Sequence, residues 1–403
     1  IICIAVSLSL TAVLSANRCY PVKTPKKVFG FMRILLKKAA VLYAQVQNVI
    51  YAGRFESFKI MHTGRGIFVA VAFLFVIGFS FNTNTLVFSS TELFLNDYYE
   101  QYGGELNSSV YDSVNRMHEE NNQVQLEFDL KGEQFSAGAI SFEEYEKARA
   151  KNAAYDTQRK AVDILEQQLE RLQQIEEKGI KPVVMNELGY SNLFYSSSNQ
   201  TEILILLCAV IILFSSVFSI EKSSGMVMLN HCSKNGRNKL YLKKILAVLP
   251  KTFLLTCISY TVLIIQNAYL YKLNHFDADI HNLQCLQNIN MNLSISEYII
   301  LNFLFEFLFI TAAGLITASL SVFMSQITSI ILSACVFVLP GALYMINISA
   351  AKELSSPYQF CFNSFVLDKG ISADSFIFHF LLTAVCFLLL YLCRRKWCLT
   401  KDR

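Results

Sequence analysis

Charge is scarce in this sequence. Asp, Glu, Lys and Arg make up 16% of its 403 residues, whereas 53% are hydrophobic. A soluble chain carries about 25% charged residues, so the shortage excludes an ordinary soluble globule and points to surface that faces lipid. Gly-Lys never occurs as a dipeptide, which excludes a Walker A loop, G-x-x-x-x-G-K-[ST], and the ATP site built on it. The 11 Cys include no Cys-x-x-Cys pair. Most fall in apolar runs, where the thiol acts as a small hydrophobe. The 6 His stand apart at positions 62, 118, 231, 275, 281 and 379, and no Ser/His/Asp or Cys/His set suggests catalysis. A net charge of +4 is too small to imply a nucleic-acid partner.

Long apolar runs are what the sequence has in excess. A membrane helix takes roughly 20 mostly apolar residues, and the runs 1–16, 67–88, 203–220, 252–270, 299–323, 327–346 and 376–393 come near that length. The first is short, as expected of a chain that begins inside a span. A secretory signal ending at Ser15-Ala16-Asn17 is the rival expectation.

The charges between runs test this division. Residues 17–66 hold Lys or Arg at 18, 23, 26, 27, 33, 37, 38, 54, 59 and 65 against the acid Glu56. Residues 221–251 hold Lys222, Lys234, Arg237, Lys239, Lys243, Lys244 and Lys251 against Glu221. The tail 397–403, preceded by Arg394, Arg395 and Lys396, is also basic. By the positive-inside rule these segments are cytoplasmic, which places 89–200, 271–298 and 347–375 outside. The expected fold is all-α: a polytopic unit of six spans (67–88 and five within 201–396) plus the preceding span 1–16, multi-pass in a cell membrane.

The insert 89–200 is acidic, with about twice as many acids as Lys and Arg, and has no Cys. Ser141-Phe142-Glu143-Glu144 is a capping box. It is expected to open one helix of about 38 residues ending near Gly179, with Pro182 beyond. Tyr145, Ala148, Asn152 and Tyr155, then Val162, Leu165, Leu169 and Leu172, follow a coiled-coil-like spacing broken at Gln158 and Arg159. A weaker helix near 105–134 carries Val110, Val114, Met117, Val124, Leu126 and Phe128. Together they predict an extracytoplasmic helical hairpin. Tyr190 and Tyr195 then fit an interfacial aromatic belt.

Two cytoplasmic segments have a pattern of their own. Around Glu56 and Lys59, in 54–66, Phe55, Phe58 and Ile60 sit among charges as in an amphipathic helix lying on the inner leaflet. In 221–251, Glu221 and Gly225 precede the apolar stretch 226–229, then Arg237 and Lys243. This pair of segments resembles the ABC-2 type transporter permeases. In that family an E-x-x-K elbow helix precedes the first span, and an E-x-x-x-G loop with an apolar run, Arg and Lys forms the coupling helix. The Pro that the family places before that Arg is absent here. The resemblance covers roughly 54–396, and the hairpin is similar to that of a subgroup of Gram-positive exporter permeases.

The resemblance implies a permease subunit of an ATP-driven exporter moving a peptide, antibiotic or lipid-like substrate. It implies no enzyme activity and no cofactor in this chain, with ATP and Mg bound by a separate ABC ATPase. Glu221, Gly225, Met226, Leu229, Arg237 and Lys243 would couple to that ATPase, and Glu56 and Lys59 would belong to the elbow. Leu10-Thr11-Ala12-Val13 recurs as Leu382-Thr383-Ala384-Val385. The echo suggests two tandem halves, with 1–16 the last span of the first; a homodimer is the other way to supply a second half. A non-transporting receptor or phage-infection-type protein with a coiled-coil ectodomain is the alternative, and it would not need the coupling loop.

Smaller features remain. Glu306 is either a functional intramembrane carboxylate or one near the outer interface. His275, Asp277, Asp279 and His281 alternate and would share one face of an extended strand, as metal ligands could, although a solvated loop is the stronger expectation. Pro340 should kink its span. Cys285 and Cys361 fall in two different outer loops, leaving a disulfide open.

Overall fold

A computed structural model of the chain describes residues 56–84, 89–195, 197–232, 237–289, 291–345 and 373–399. The chain divides after Phe55. The expected span 1–16, the linker after it and most of the loop 347–375 lie outside the described residues.

Nearly everything described is helix, in two parts. The apolar part holds α1 (Glu56–Thr63) and α2 (Gly66–Asn84). Further along come α8 (Ser197–Phe214), α9 (Ser216–Ser223), α10 (Met226–Cys232), α11 (Asn238–Leu246) and α12 (Leu249–Tyr271). It ends with α13 (Ile295–Phe323), α14 (Gln326–Phe337), α15 (Leu339–Met345) and α16 (Ala373–Leu399). The polar part holds α3 (Ser90–Tyr102), β1 (Gly104–Glu105), α4 (Ser108–Ser136), α5 (Phe142–Ala154), α6 (Asp156–Glu177), β2 (Val183–Val184) and α7 (Glu187–Tyr195). Ser-x-x-Glu boxes set the starts of α3, α5 and α13 through Ser89 and Glu92, Ser141 and Glu144, and Ser294 and Glu297. In each, a hydroxyl and a carboxylate satisfy backbone N–H groups that the first helical turn leaves free.

Among the described residues, Thr201–Ser223, Asn238–Tyr271 and Ile295–Phe323 are long and apolar enough to cross a membrane. Glu56–Thr63 with Gly66–Phe79 makes a fourth if that pair, bent by 68°, is taken as one span. Phe68, Phe75, Phe79, Phe380 and Phe387 point outward, largely exposed. So continuous an apolar surface is a liability in water and ordinary in lipid, which fits a membrane location.

The bundle packs around α13. Val210 and Phe214 of α8 meet Gly314, where an added Cβ would come within 3.2 Å and 3.1 Å of them. The Phe218 N–H donates to Ser321 Oγ at 3.3 Å. The two chains therefore run parallel in one register. Cys386 and Cys393 of α16 lie against Ala312 O and Ser319 O, so α16 runs the same way. Thr252 and Tyr260 of α12 bond Thr311 and Asn302, so α12 runs oppositely. Small residues at 312, 313, 314, 318 and 319 allow this approach, as is usual where helices associate without a hydrophobic driving force between them.

The polar part is a helical hairpin on a three-helix base. Ala161, Val162, Leu165, Leu169, Leu172 and Ile175 of α6 are buried against Leu95, Tyr98 and Tyr99 of α3 and Val110 and Val114 of α4. Toward the tip, Tyr145 stacks on Phe135 at 4.8 Å and Lys151 pairs with Glu127 at 2.6 Å. The β1–β2 ladder, Gly104 opposite Val184 and Glu105 opposite Val183, closes the base. Below it, Tyr190, Leu193 and Phe194 of α7 pack on Ile280, Leu283, Leu286 and Ile289 of the 272–294 loop. The Val183 N–H donates to Asn282 Oδ1 at 2.9 Å, joining clasp and loop.

Several expectations are corrected. The helix expected as one piece from Ser141 is two, α5 and α6, meeting at Tyr155. The join falls where the apolar spacing lapses, and there Arg159 reaches back to the Asn152 side chain. Leu126, one of the apolar residues of the weaker helix, is 61% exposed, because it stands two positions from the buried Val124 and so lies on another face of α4. The run 327–346 divides into α14 and α15 around Val338, two residues before Pro340, whose ring cannot follow an unbroken helix. Tyr190 is wholly buried, packed with Leu193 and Phe194. The 275–281 stretch is a turn, with His281 bonded to Asp279 Oδ1 at 2.5 Å and Ile289 O at 2.8 Å. Among the described residues no group of three metal-ligating side chains forms. Burial pushes the Cys285 thiol up to about 12, and Cys361 lies outside the described residues.

The hairpin base should be the sensitive part of this domain. Leu172→Ala removes a side chain with 0% exposure and should cost about 2–5 kcal/mol, whereas Leu126→Ala should stay within about 0.5 kcal/mol. Thermal melting followed by proteolysis within 108–177 measures the difference.

Candidate functional site

At the end of the bundle away from the hairpin, four charged side chains from three separate segments meet. Glu56 and Lys59 come from α1, where a spacing of three places them on one face. Glu221 comes from the last turn of α9, and Lys244 from α11. Lys59 Nζ lies 2.8 Å from Glu221 Oε1 and 3.3 Å from Glu56 Oε1. Lys244 Nζ lies 2.9 Å from Glu56 Oε2 and 3.1 Å from Glu221 Oε1. Formal charge sums to zero within the cluster. The side chains of Glu56, Glu221 and Lys244 are 3%, 3% and 2% exposed, and that of Lys59 is 19% exposed.

The backbone brings these groups together at two glycines. Gly64 and Gly66 flank the bend between α1 and α2. A Cβ on Gly64 would lie 2.6 Å from Ser216 Oγ, and one on Gly66 would lie 2.5 Å from Leu213 Cδ1. Without them α1 could not close on the α8–α9 junction. Lys244 Nζ also donates to Val217 O at 2.8 Å, at a serine-rich turn where Ser215, Ser216 and Ser219 bond back to their own helix. Phe218 stacks on Tyr241 at 5.6 Å and meets Trp397 edge-on at 5.1 Å, and Lys244 stands 5.3 Å over the Phe218 ring. The one Trp in the chain thus packs α16 against the cluster's apolar wall.

The sequence had singled out Glu56 and Lys59 in one segment and Glu221 in another. Glu56, Lys59 and Glu221 are brought together. In α1 Glu56 and Ile60 are buried, each at 2% exposure, and Phe58 is 56% exposed. Gly225, with φ +68°, ends α9 in the left-handed conformation that favours glycine. Beyond it Met226, Met228 and Leu229 of α10 are 42%, 55% and 69% exposed. Arg237 is exposed at the start of α11, and Lys243 is half-exposed; neither joins the cluster.

The missed member is Lys244. Its signal was the spacing of Tyr241, Lys244 and Val248, all buried on one face. Glu306 lies elsewhere, 3% exposed between α8 and α12. A separate cleft of about 580 Å³ opens at the hairpin base, lined by Glu105, Lys181, His275, Asp277 and Asp279.

No protein-family model matches the chain, and none of the curated proteins or solved structures compared with it matches either. The reading of the site therefore rests on its geometry.

Such a cluster can act as a joint. Its pairs hold only while α1, α9 and α11 keep their places, and removing one member strands a buried charge. Lys244→Met should cost about 3–5 kcal/mol, and Lys243→Met under about 0.5 kcal/mol. Thermal melting of the two variants in the same detergent separates them; equal melting points would show that Lys244 is not the buried partner.

Proposed function

We propose that this chain is the permease subunit of an ATP-driven exporter of the ABC-2 type, set in a cell membrane and driven by a separate ABC ATPase. The observation that carries the reading is the Lys59–Glu221 pair. The two segments that resemble the family's elbow and coupling loop are far apart in sequence, yet they are one ion-paired unit. A receptor holding a coiled-coil ectodomain has no need of that union.

In this reading α2, α8–α9, α12, α13, α14–α15 and α16 are the six spans, and the hairpin stands outside. The parallel course of α8, α13 and α16 and the opposite course of α12 support that alternation. α10 offers Met226, Met228 and Leu229 to a groove on the ATPase, and the exposed Arg237 at the start of α11 adds a positive charge. A push on α10 passes through Gly225 to α9 and, through the cluster, to α1 and α11. The hairpin and the cleft at its base would meet substrate or an accessory protein on the far side.

The test uses the full chain co-expressed with an ABC ATPase encoded beside its gene. Leu229→Glu should abolish co-purification and lower stimulated ATP hydrolysis at least about tenfold, a loss of roughly 1.4 kcal/mol or more. Its melting point should be unchanged, since Leu229 is 69% exposed. Magnesium-dependent ATP hydrolysis by the purified chain alone, or undiminished co-purification of the variant, would overturn the reading.

A further inference from the structure

The register of the bundle sets two acids against each other. Phe218 meets Ser321 and Val210 meets Gly314, and eight residues back along each helix, about two turns, the same register brings Glu202 of α8 to the level of Glu306 of α13. Both are buried, at 2% and 3% exposure, and they interact electrostatically. Among the described residues Glu202 Oε1 has no hydrogen-bond partner, and no Lys, Arg or His is paired with either carboxylate. The cluster of Glu56, Lys59, Glu221 and Lys244 shows how this chain buries carboxylates when it means them to be charged. Nothing comparable neutralises Glu202 and Glu306 among the described residues.

A third buried polar group lies on α12 at the level of the pair. Thr252 and Tyr260 of α12 both bond α13, to Thr311 and to Asn302. Thr256 lies between them on the same stripe, so it faces α13 at the level of Glu306. It is 0% exposed, and its hydroxyl has no partner among the described residues. Tyr260, in reach of the Glu306 charge, is the titratable group that α12 presents. α2 carries no ionisable residue from Gly66 to Asn84. On α16, His379 falls near this level, and its side chain lies outside the described residues.

We propose that Glu202 and Glu306 form a proton-binding site inside the bundle, which holds at least one proton between them at neutral pH and exchanges it with the hairpin-side solution when α8 and α13 move apart. Two carboxylates confined together in an apolar site cannot both stay ionised, and a proton is the ligand that needs no added space. An inorganic cation would want more ligands than two acids and hydroxyls supply, and no group of three metal-ligating side chains occurs among the described residues. Intramembrane carboxylates of this kind belong to proton relays and ion paths. The inference stands on burial and register, so it holds with or without an ATPase partner.

The test is carried out on the full chain in lipid nanodiscs. Infrared spectra at neutral pH should show a protonated-carboxyl C=O band that is lost in the Glu202→Gln/Glu306→Gln double variant. On the wild-type chain, which needs no variant to fold, dicyclohexylcarbodiimide should label Glu202 or Glu306. The carboxyl O–H adds across one C=N bond, with oxygen joining carbon and the proton passing to nitrogen, and the adduct rearranges to an N-acylurea found by peptide mapping. Above the pair's titration the rate should fall about tenfold per pH unit, as the protonated fraction does. Either the band difference or pH-dependent labelling supports the site. No band difference together with no adduct at either residue, or a band that appears only when sodium or potassium is removed, would overturn it.

Discussion

The contact on which the arrangement depends is the meeting of Lys59 and Lys244 with Glu56 and Glu221. Each of these charges would be costly to bury alone, and each is acceptable because the others are there. A cluster of this kind is weak evidence for stability, since desolvation consumes much of what the pairing returns. Its effect here is geometric. Three helices are held at one point, and any sliding of α1 or α11 along α9 would leave a buried charge without a partner. The apolar wall of Phe218, Tyr241 and Trp397 keeps water from softening that requirement.

The second constraint is close approach. α13 can lie along α8 because Gly314 leaves room for Val210 and Phe214, and the same contact fixes the register from Ser321 to Glu306. Register then decides chemistry. A shift of α8 by one residue would rotate Glu202 away from Glu306 and Val210 away from Gly314 together. The acid pair is thus a consequence of the packing of small residues, which is why Glu306 considered by itself could not reveal its partner.

Legibility in the sequence followed the range of the interactions. Capping at Ser141, the seam of Val162, Leu165, Leu169 and Leu172, and the approximate places of the apolar helices depend on residues three or four positions apart, and they were readable. The break at Tyr155 and the division of 327–346 were only partly so, because the hydrophobic pattern continues through or resumes after both. Helix α3 and the packing of the 272–294 loop beneath α7 were not foreseen, since α3 follows the span directly and the loop's core residues are scattered. In the site, Glu56, Lys59 and Glu221 stood out by motif. Lys244 did not, because adjacent lysines look alike until a helical phase distinguishes the inward one from the outward one.

The two buried carboxylate sites are joined by one piece of chain. Glu202 lies near the start of the apolar helix Thr201–Ser223 and Glu221 near its end, about 28 Å apart along an α-helical rise. Between them the helix is weakened at a single place, the serines at 215, 216 and 219, whose hydroxyls bond back to carbonyls of the preceding turn, a pattern that eases bending. Lys244 binds Val217 O within that turn, so the cluster grips the helix at its bend as well as at its acid. A movement imposed on Glu221 therefore acts on a rod with a built-in hinge, whose other half carries one of the two acids facing each other across α8 and α13. Coupling between the ends then requires no chain of intermediary side chains, only that the hinge have two positions and that the pair of acids be closer in one than in the other.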